Sequence, residues 1–221
     1  MDPFGRVFVP KRRRVACLML LLSALLVLVS GCARPDAAAQ SDTVVTPPNS
    51  ATGTLLDPPK QLADFTLTSH TGKPLRLSDL QGRPVLLFFG YTHCPDVCPL
   101  TLSEWKKVKQ ALGDTAGEVE FVFVSVDGAR DTPDVLARYV AGYDPAFTGL
   151  TGDKATVQTI AKDFGVYFHD HDNGADEEAR LVDHSPASFL INRDGKLRVV
   201  YSYGIPSEVI SADIRHVLTQ G

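Results

Sequence analysis

The sequence predicts a single α/β domain, and three observations carry that reading. Two almost unbroken apolar runs, Val85 to Tyr91 (VLLFFGY) and Val119 to Val126 (VEFVFVSV), have the character of strands buried on both faces of a sheet. Each run is followed by a stretch with helical spacing of its apolar residues. The chain then closes with a β-hairpin around an Asp-Gly turn and a last helix. Alternating strand and helix units that end in an antiparallel hairpin and a helix describe a thioredoxin-like arrangement.

The elements follow in order. Asp64 to Thr68 alternates briefly before the turn residues Thr71-Gly72-Lys73-Pro74, so the domain opens with a small hairpin. After the first apolar run, Pro99 to Leu112 carries Leu102, Trp105, Val108 and Leu112 on one face and Glu104, Lys106, Lys107 and Lys109 on the other. Trp105 lies on the apolar stripe and is read as core. Thr132-Pro133 pairs an N-cap with proline at the first helical position, opening a helix to about Val140. Asp153 caps another helix, to Phe164. A polar stretch separates it from Ala187 to Asn192, the turn Arg193-Asp194-Gly195-Lys196, and Leu197 to Ser202. Ser207 caps a final helix that turns Val209, Ile210, Ile214, Val217 and Leu218 inward.

The N-terminus reads as a processing signal. Basic residues Lys11 to Arg14 precede an uncharged run from Val15 to Val29, then Ser30 and Gly31 before Cys32. That run of 15 residues falls short of the roughly 20 a helix needs to cross a bilayer, which makes an uncleaved transmembrane anchor the weaker reading. Val29-Ser30-Gly31-Cys32 resembles a bacterial lipobox, which implies cleavage before Cys32 and lipidation of its new N-terminus. An ordinary cleavage site is the alternative. More than one acyl chain would make the anchoring stable. Residues 33–60, rich in Ala, Pro, Ser and Thr, lack the bulky apolar side chains that would order them. The organisation is therefore a lipoprotein signal peptide over 1–32, a disordered tether over 33–60, and one domain over 61–221.

Without residues 1–32, 17 of the chain's 22 basic and 25 of its 26 acidic residues remain, a formal charge of −8. Nucleic-acid binding wants a basic face and is disfavoured. Such a surface suits an exported protein that must stay soluble.

Of the four cysteines, only Cys94 and Cys98 fall in the domain, within Gly90-Tyr91-Thr92-His93-Cys94-Pro95-Asp96-Val97-Cys98-Pro99. They lie between a buried strand and the start of a helix, where unpaired backbone donors favour thiolate over thiol. Residues four apart share a helical face, near enough to hold one metal ion or to close a disulfide. Thiolates are soft ligands and select Cu(I) over hard cations. A thioredoxin-type redox motif would have two residues between the cysteines; here there are three, which makes room for a metal. A stabilising disulfide is the bland alternative, but it would close a very small loop and gain little.

Two sulfurs leave copper under-coordinated, and His184 is the leading third donor. It sits in Asp183-His184-Ser185-Pro186, just before the hairpin, in a turn expected to face the cysteine loop from a shallow, exposed site. Pro186 falls where such folds often place a cis-proline. A histidine before a strand is by itself more often a turn residue than a ligand; the cysteine pair reverses that. His93 stands beside Cys94, where it would tune the thiolate. His169 and His171, within Phe168-His169-Asp170-His171-Asp172, read as part of a solvated acidic loop rather than a second metal site. His70 and His216 read as surface residues.

In these stretches, together with Phe88 to Thr92, Val124 to Asp127, Arg130 to Pro133 and Gly149 to Gly152, the chain resembles the Sco/SenC family of copper-handling proteins tied to cytochrome c oxidase assembly. The resemblance covers nearly the whole domain. It implies that Cys94, Cys98 and His184 ligate copper as Cu(I) or Cu(II), received from an upstream copper donor protein and delivered to the dinuclear copper site of oxidase subunit II. With that partner, the lipid anchor read from the lipobox would lie on the periplasmic side, at the inner membrane. The resemblance implies a carrier rather than an enzyme. The second reading is a thiol-disulfide reductase cycling through a Cys94–Cys98 disulfide. Peroxidase chemistry comes last, since the sequence places no arginine with the cysteine.

Overall fold

In the computed structural model, which describes residues 52–170 and 181–219, the two apolar runs lie side by side and parallel near the middle of a mixed sheet. The strands are β1 (Thr54–Gln61), β2 (Thr66–Ser69), β3 (Pro74–Arg76), β4 (Val85–Gly90), β5 (Glu120–Ser125), β6 (Thr148–Thr151), β7 (Phe168–Asp170), β8 (Val182–His184), β9 (Ser188–Ile191) and β10 (Lys196–Tyr201). The α-helices are α1 (Val97–Leu112), α2 (Pro133–Ala141), α3 (Lys154–Asp163) and α4 (Ser207–Thr219). The large sheet runs β1-β10-β9-β4-β5-β6-β2-β3, and β7 and β8 form a separate two-stranded ribbon. Strands β4, β5 and β6 are parallel, and the remaining pairings are antiparallel.

Burial explains the apolar runs. Every residue of β4 and all but the first of β5 are buried, as strands covered on both faces require. Helix α1 turns Leu102, Trp105, Val108 and Leu112 into the core. Trp105 packs edge-on against Phe88 and Phe147, with centroids 6.2 and 5.9 Å away, and its indole N–H donates to Ser188 Oγ at 3.3 Å. The caps expected at α2 and α3 are present: Thr132 Oγ1 accepts from the Val135 N–H, and Asp153 Oδ1 accepts from the Thr156 N–H. The Asp194-Gly195 turn joins β9 to β10, with Gly195 at φ 77°.

Several expectations need correction. Helix α1 begins at Val97 rather than Pro99, so Cys98 lies inside it; Pro99 is tolerated because first-turn N–H groups have no intrahelical partner to lose. Residues 54–60, assigned above to the tether, belong to β1, which pairs with β10. Pro58 and Pro59 disguise this strand, but an edge strand tolerates missing donors, and the register shifts between Leu55 and Lys60. Ser207 does not cap α4 from outside. It is the buried first residue, and its N–H donates to Glu104 Oε1 of α1 at 2.7 Å. The peptide bond before Pro186 is trans; among the described residues, the cis bond is Asp57–Pro58. Strands β6, β7 and β8 were not anticipated.

Cys32, the signal segment, residues 33–51 of the tether and His171 lie outside the described residues. Among the described residues, no helix is long and apolar enough to cross a membrane.

Candidate metal centre

Three chain segments converge at the carboxyl end of β4. The strand delivers Tyr91, Thr92 and His93 into a turn in which the Cys94 N–H donates to the Tyr91 carbonyl at 3.3 Å. Helix α1 then carries Cys98 at its second residue. The β7–β8 ribbon supplies His184 from the last position of β8, opposite Phe168, rather than from a turn. Alternation along β8 explains its aim: Val182 is buried, Asp183 exposed and His184 half-buried.

The donor atoms of Cys94, Cys98 and His184 all lie within 4.8 Å of one another, and they are the group of that kind among the described residues. Cys98 Sγ is 3.3 Å from His184 Nε2. Nδ1 of the imidazole lies 3.4 Å from the Ser185 carbonyl, which leaves Nε2 facing the sulfur of Cys98. The ring stands edge-on to Phe88 and Tyr91, with centroids 5.7 and 5.9 Å away.

The site is deeper than the shallow one expected. Cys98 is fully buried and Cys94 is 9% exposed, because α1 and the ribbon cover the sulfurs and leave Cys94 as the accessible one. Close packing beneath them requires Gly90: a Cβ there would stand 2.8 Å from Cys98 Sγ and from Phe88, and 2.9 Å from Phe123.

The two thiols are unbridged and inequivalent. The Cys98 thiol beside it, then the His184 imidazole and the backbone N–H groups of Asp96 and Cys98, hold the Cys94 thiol far below its usual range, at about 3, against the opposing effect of burial. The Cys98 thiol is pushed up by the neighbouring Cys94 sulfur and by burial. One sulfur is thus charged and reachable, the other protonated and buried.

The remaining histidines separate clearly. His93 is exposed, its Nδ1 3.0 Å from Thr92 Oγ1, and it stands outside the three-donor group. His70 is half-buried rather than on the surface, accepting from the Gly149 N–H at 3.1 Å. His169 is exposed on β7 and His216 on α4.

Two contributors were not recognised from sequence. Tyr91 Oη accepts from the Val182 N–H at 3.3 Å, joining the cysteine loop to the histidine ribbon. Asp131, fully buried, accepts from the Thr92 N–H and hydroxyl and from the Ser125 hydroxyl. Sequence distance hid both, since Tyr91 meets Val182 and Asp131 meets Thr92 across 91 and 39 residues.

A thioredoxin-like domain that gathers two sulfurs and an imidazole at one end of its sheet is a soft-metal-binding protein of the thiol-handling kind. The donor set fits copper. The SCO1/SenC family profile matches residues 54–219, and the chain belongs to that family. It is 36% identical over 154 residues to the Homo sapiens protein SCO2 homolog, mitochondrial, covering 69% of this chain and 58% of that one. The chain thus spans less than two thirds of the length of that relative. Among solved structures it is similar to copper-bound ScoI from Bradyrhizobium japonicum (35% identity, TM-score 0.65, covering 70% of this chain and 98% of that one). It is also similar to apo Sco1 from Thermus thermophilus (38% identity, TM-score 0.67, covering 75% and 95%).

Proposed function

We propose that the chain is a copper metallochaperone. It holds Cu(I) on Cys94, Cys98 and His184, and delivers it to the dinuclear copper site of cytochrome c oxidase subunit II during oxidase assembly. The observation that carries this reading is the meeting of two sulfurs and one imidazole within 4.8 Å. Family membership and the copper-bound relative support the metal, and the family's tie to oxidase assembly supports the acceptor. An upstream copper donor protein loads the site. Partial exposure of Cys94 gives an incoming ligand one point of attack, so metal passes by stepwise exchange of donors rather than by release into water. The lipobox-like Val29-Ser30-Gly31-Cys32 supports lipidation of Cys32, which would hold the domain on the periplasmic side of the inner membrane, and the family resemblance supports binding of Cu(II) by the same ligands.

A second reading, thiol-disulfide reduction, is favoured by the inequivalence of the two sulfurs. The Cys94 thiolate attacks a partner disulfide and releases one partner thiolate; Cys98 then loses its proton and displaces the second. Two electrons pass to the partner, and the domain ends as the Cys94–Cys98 disulfide, to be re-reduced by an external thiol.

Anaerobic titration of the reduced domain with Cu(I), repeated on His184→Ala, separates the readings. A carrier binds one equivalent and loses most of its affinity in the variant. If His184→Ala binds copper as the parent does, the carrier reading fails. Disulfide reduction on a subunit II peptide tests the second reading.

A further inference from the structure

The turn between β5 and α2 packs against the cysteine loop and supplies none of the three donors. Ser125 ends β5, and its hydroxyl donates to Asp131 Oδ2 at 2.6 Å. The Arg130 and Asp131 N–H groups both donate to the Asp127 carbonyl, at 3.1 and 2.9 Å, and Thr132 caps α2 directly afterwards. The turn is therefore pinned at both ends by regular structure. From it, Asp131 reaches forward: Oδ2 accepts from the Thr92 N–H at 3.0 Å and Oδ1 from the Thr92 hydroxyl at 2.6 Å. Its neighbour Arg130 lies over the Tyr91 ring, 5.9 Å from the centroid, and pairs with Asp127. Tyr91 in turn accepts from the Val182 N–H and stands edge-on to the His184 ring.

We infer that Asp131 and Tyr91 are positioning residues that hold the two halves of the donor set in register. Asp131 fixes the loop that presents Cys94, and Tyr91 fixes the ribbon that presents His184. Because Tyr91 and Thr92 are consecutive, as are Arg130 and Asp131, one rigid turn sets the distance between the sulfurs and an imidazole carried by a separate two-stranded ribbon. A fully buried carboxylate with three donors and no requirement of its own in the ligand set is accounted for by this role. Copper capture needs all three donors in place, whereas disulfide formation needs only the two sulfurs. The two halves of the brace therefore separate functionally.

The inference rests on the ligand assignment proposed above. Its test measures Cu(I) affinity, by competition with a chromophoric chelator, and the midpoint potential of the cysteine pair in the same set of proteins. Tyr91→Phe keeps the ring and removes the acceptor of the Val182 N–H. Copper affinity should fall about three- to tenfold, the effect of one lost hydrogen bond, while the midpoint potential shifts by less than the equivalent of that factor. Asp131→Asn preserves the shape of the network and should bind copper within about twofold of the parent; Asp131→Ala, which frees Thr92, should lose affinity and shift the potential as well. Unchanged affinity in Tyr91→Phe overturns the inference, as does a parallel shift of its midpoint potential. Equal losses in Asp131→Asn and Asp131→Ala would assign the effect to charge rather than position and overturn the Asp131 half. If Asp131→Ala does not fold, Tyr91→Phe and Asp131→Asn still decide. A parent domain that takes up no copper fails the ligand assignment itself, a result distinct from a copper-binding parent matched by Tyr91→Phe.

Discussion

The sulfur of Cys98 lies 3.3 Å from Nε2 of His184, although 86 residues separate them in the chain. The contact joins an α-helix N-terminus to the end of a separate ribbon, and the chemistry of the site depends on it.

The first consequence is the reactivity of Cys94. With its thiol held at about 3 in the folded domain, the sulfur is charged at neutral pH, and lowering the pH protonates it only near that value. In the unfolded chain, a thiol with the ordinary value of about 8.5 loses its thiolate tenfold per pH unit below that. Alkylation of Cys94 by iodoacetamide, followed by peptide mass analysis, should proceed at a nearly constant rate from pH 8 to about 5 in the folded protein. A tenfold fall per unit across that window would refute the assignment.

Removing the first cause of that depression should undo much of it. Cys98→Ala takes away the thiol that donates to Cys94, so the pH at which Cys94 alkylation reaches half its limiting rate should rise. His184→Ala should move it in the same direction by a smaller amount.

Gly90→Ala should damage the site and the fold together. The added Cβ meets Cys98 Sγ and two phenylalanine rings at 2.8–2.9 Å, and such overpacking costs about 1–3 kcal/mol. Urea unfolding should show the lower midpoint, and copper titration a weaker site, because the sulfur is the most easily displaced of the three neighbours.

Trp105→Ala should lose about 3–5 kcal/mol by denaturant unfolding. The indole is 1% exposed, fills the space between α1 and the sheet, and its N–H bonds to Ser188. Little loss would mean that the core closes around the gap.

A chain begun at Gln61, the boundary suggested by composition, should be less stable than one begun at Gly53. It lacks the pairing of β1 with β10 and the 2.7 Å hydrogen bond from Arg198 to the Leu56 carbonyl. A loss on the order of 2 kcal/mol, a few hydrogen bonds at about 1 kcal/mol each, would lower the melting temperature by about 4–8 °C.

Most of the frame is legible in the sequence. The buried strands announced themselves because burial on both faces removes every reason for polar residues. The helices did so because one face must be apolar, and α2 and α3 also carried their own caps. Strand β1 was misread because its prolines and exposed positions look like a linker, and only pairing with β10 orders them. Strands β7 and β8 are three residues each, too short for alternation to register.

The sequence by itself determined the dithiol: two cysteines four apart at a helix start are brought together by helix geometry alone. It also nominated His184. What tertiary structure decided is how the imidazole arrives, how deep the sulfurs lie, and that Gly90, Tyr91 and Asp131 serve them. Local periodicity specifies neighbours within a turn of helix or along one strand. Contacts between distant segments follow from strand order and crossovers, which set what stands opposite what and leave no mark on the spacing of residues.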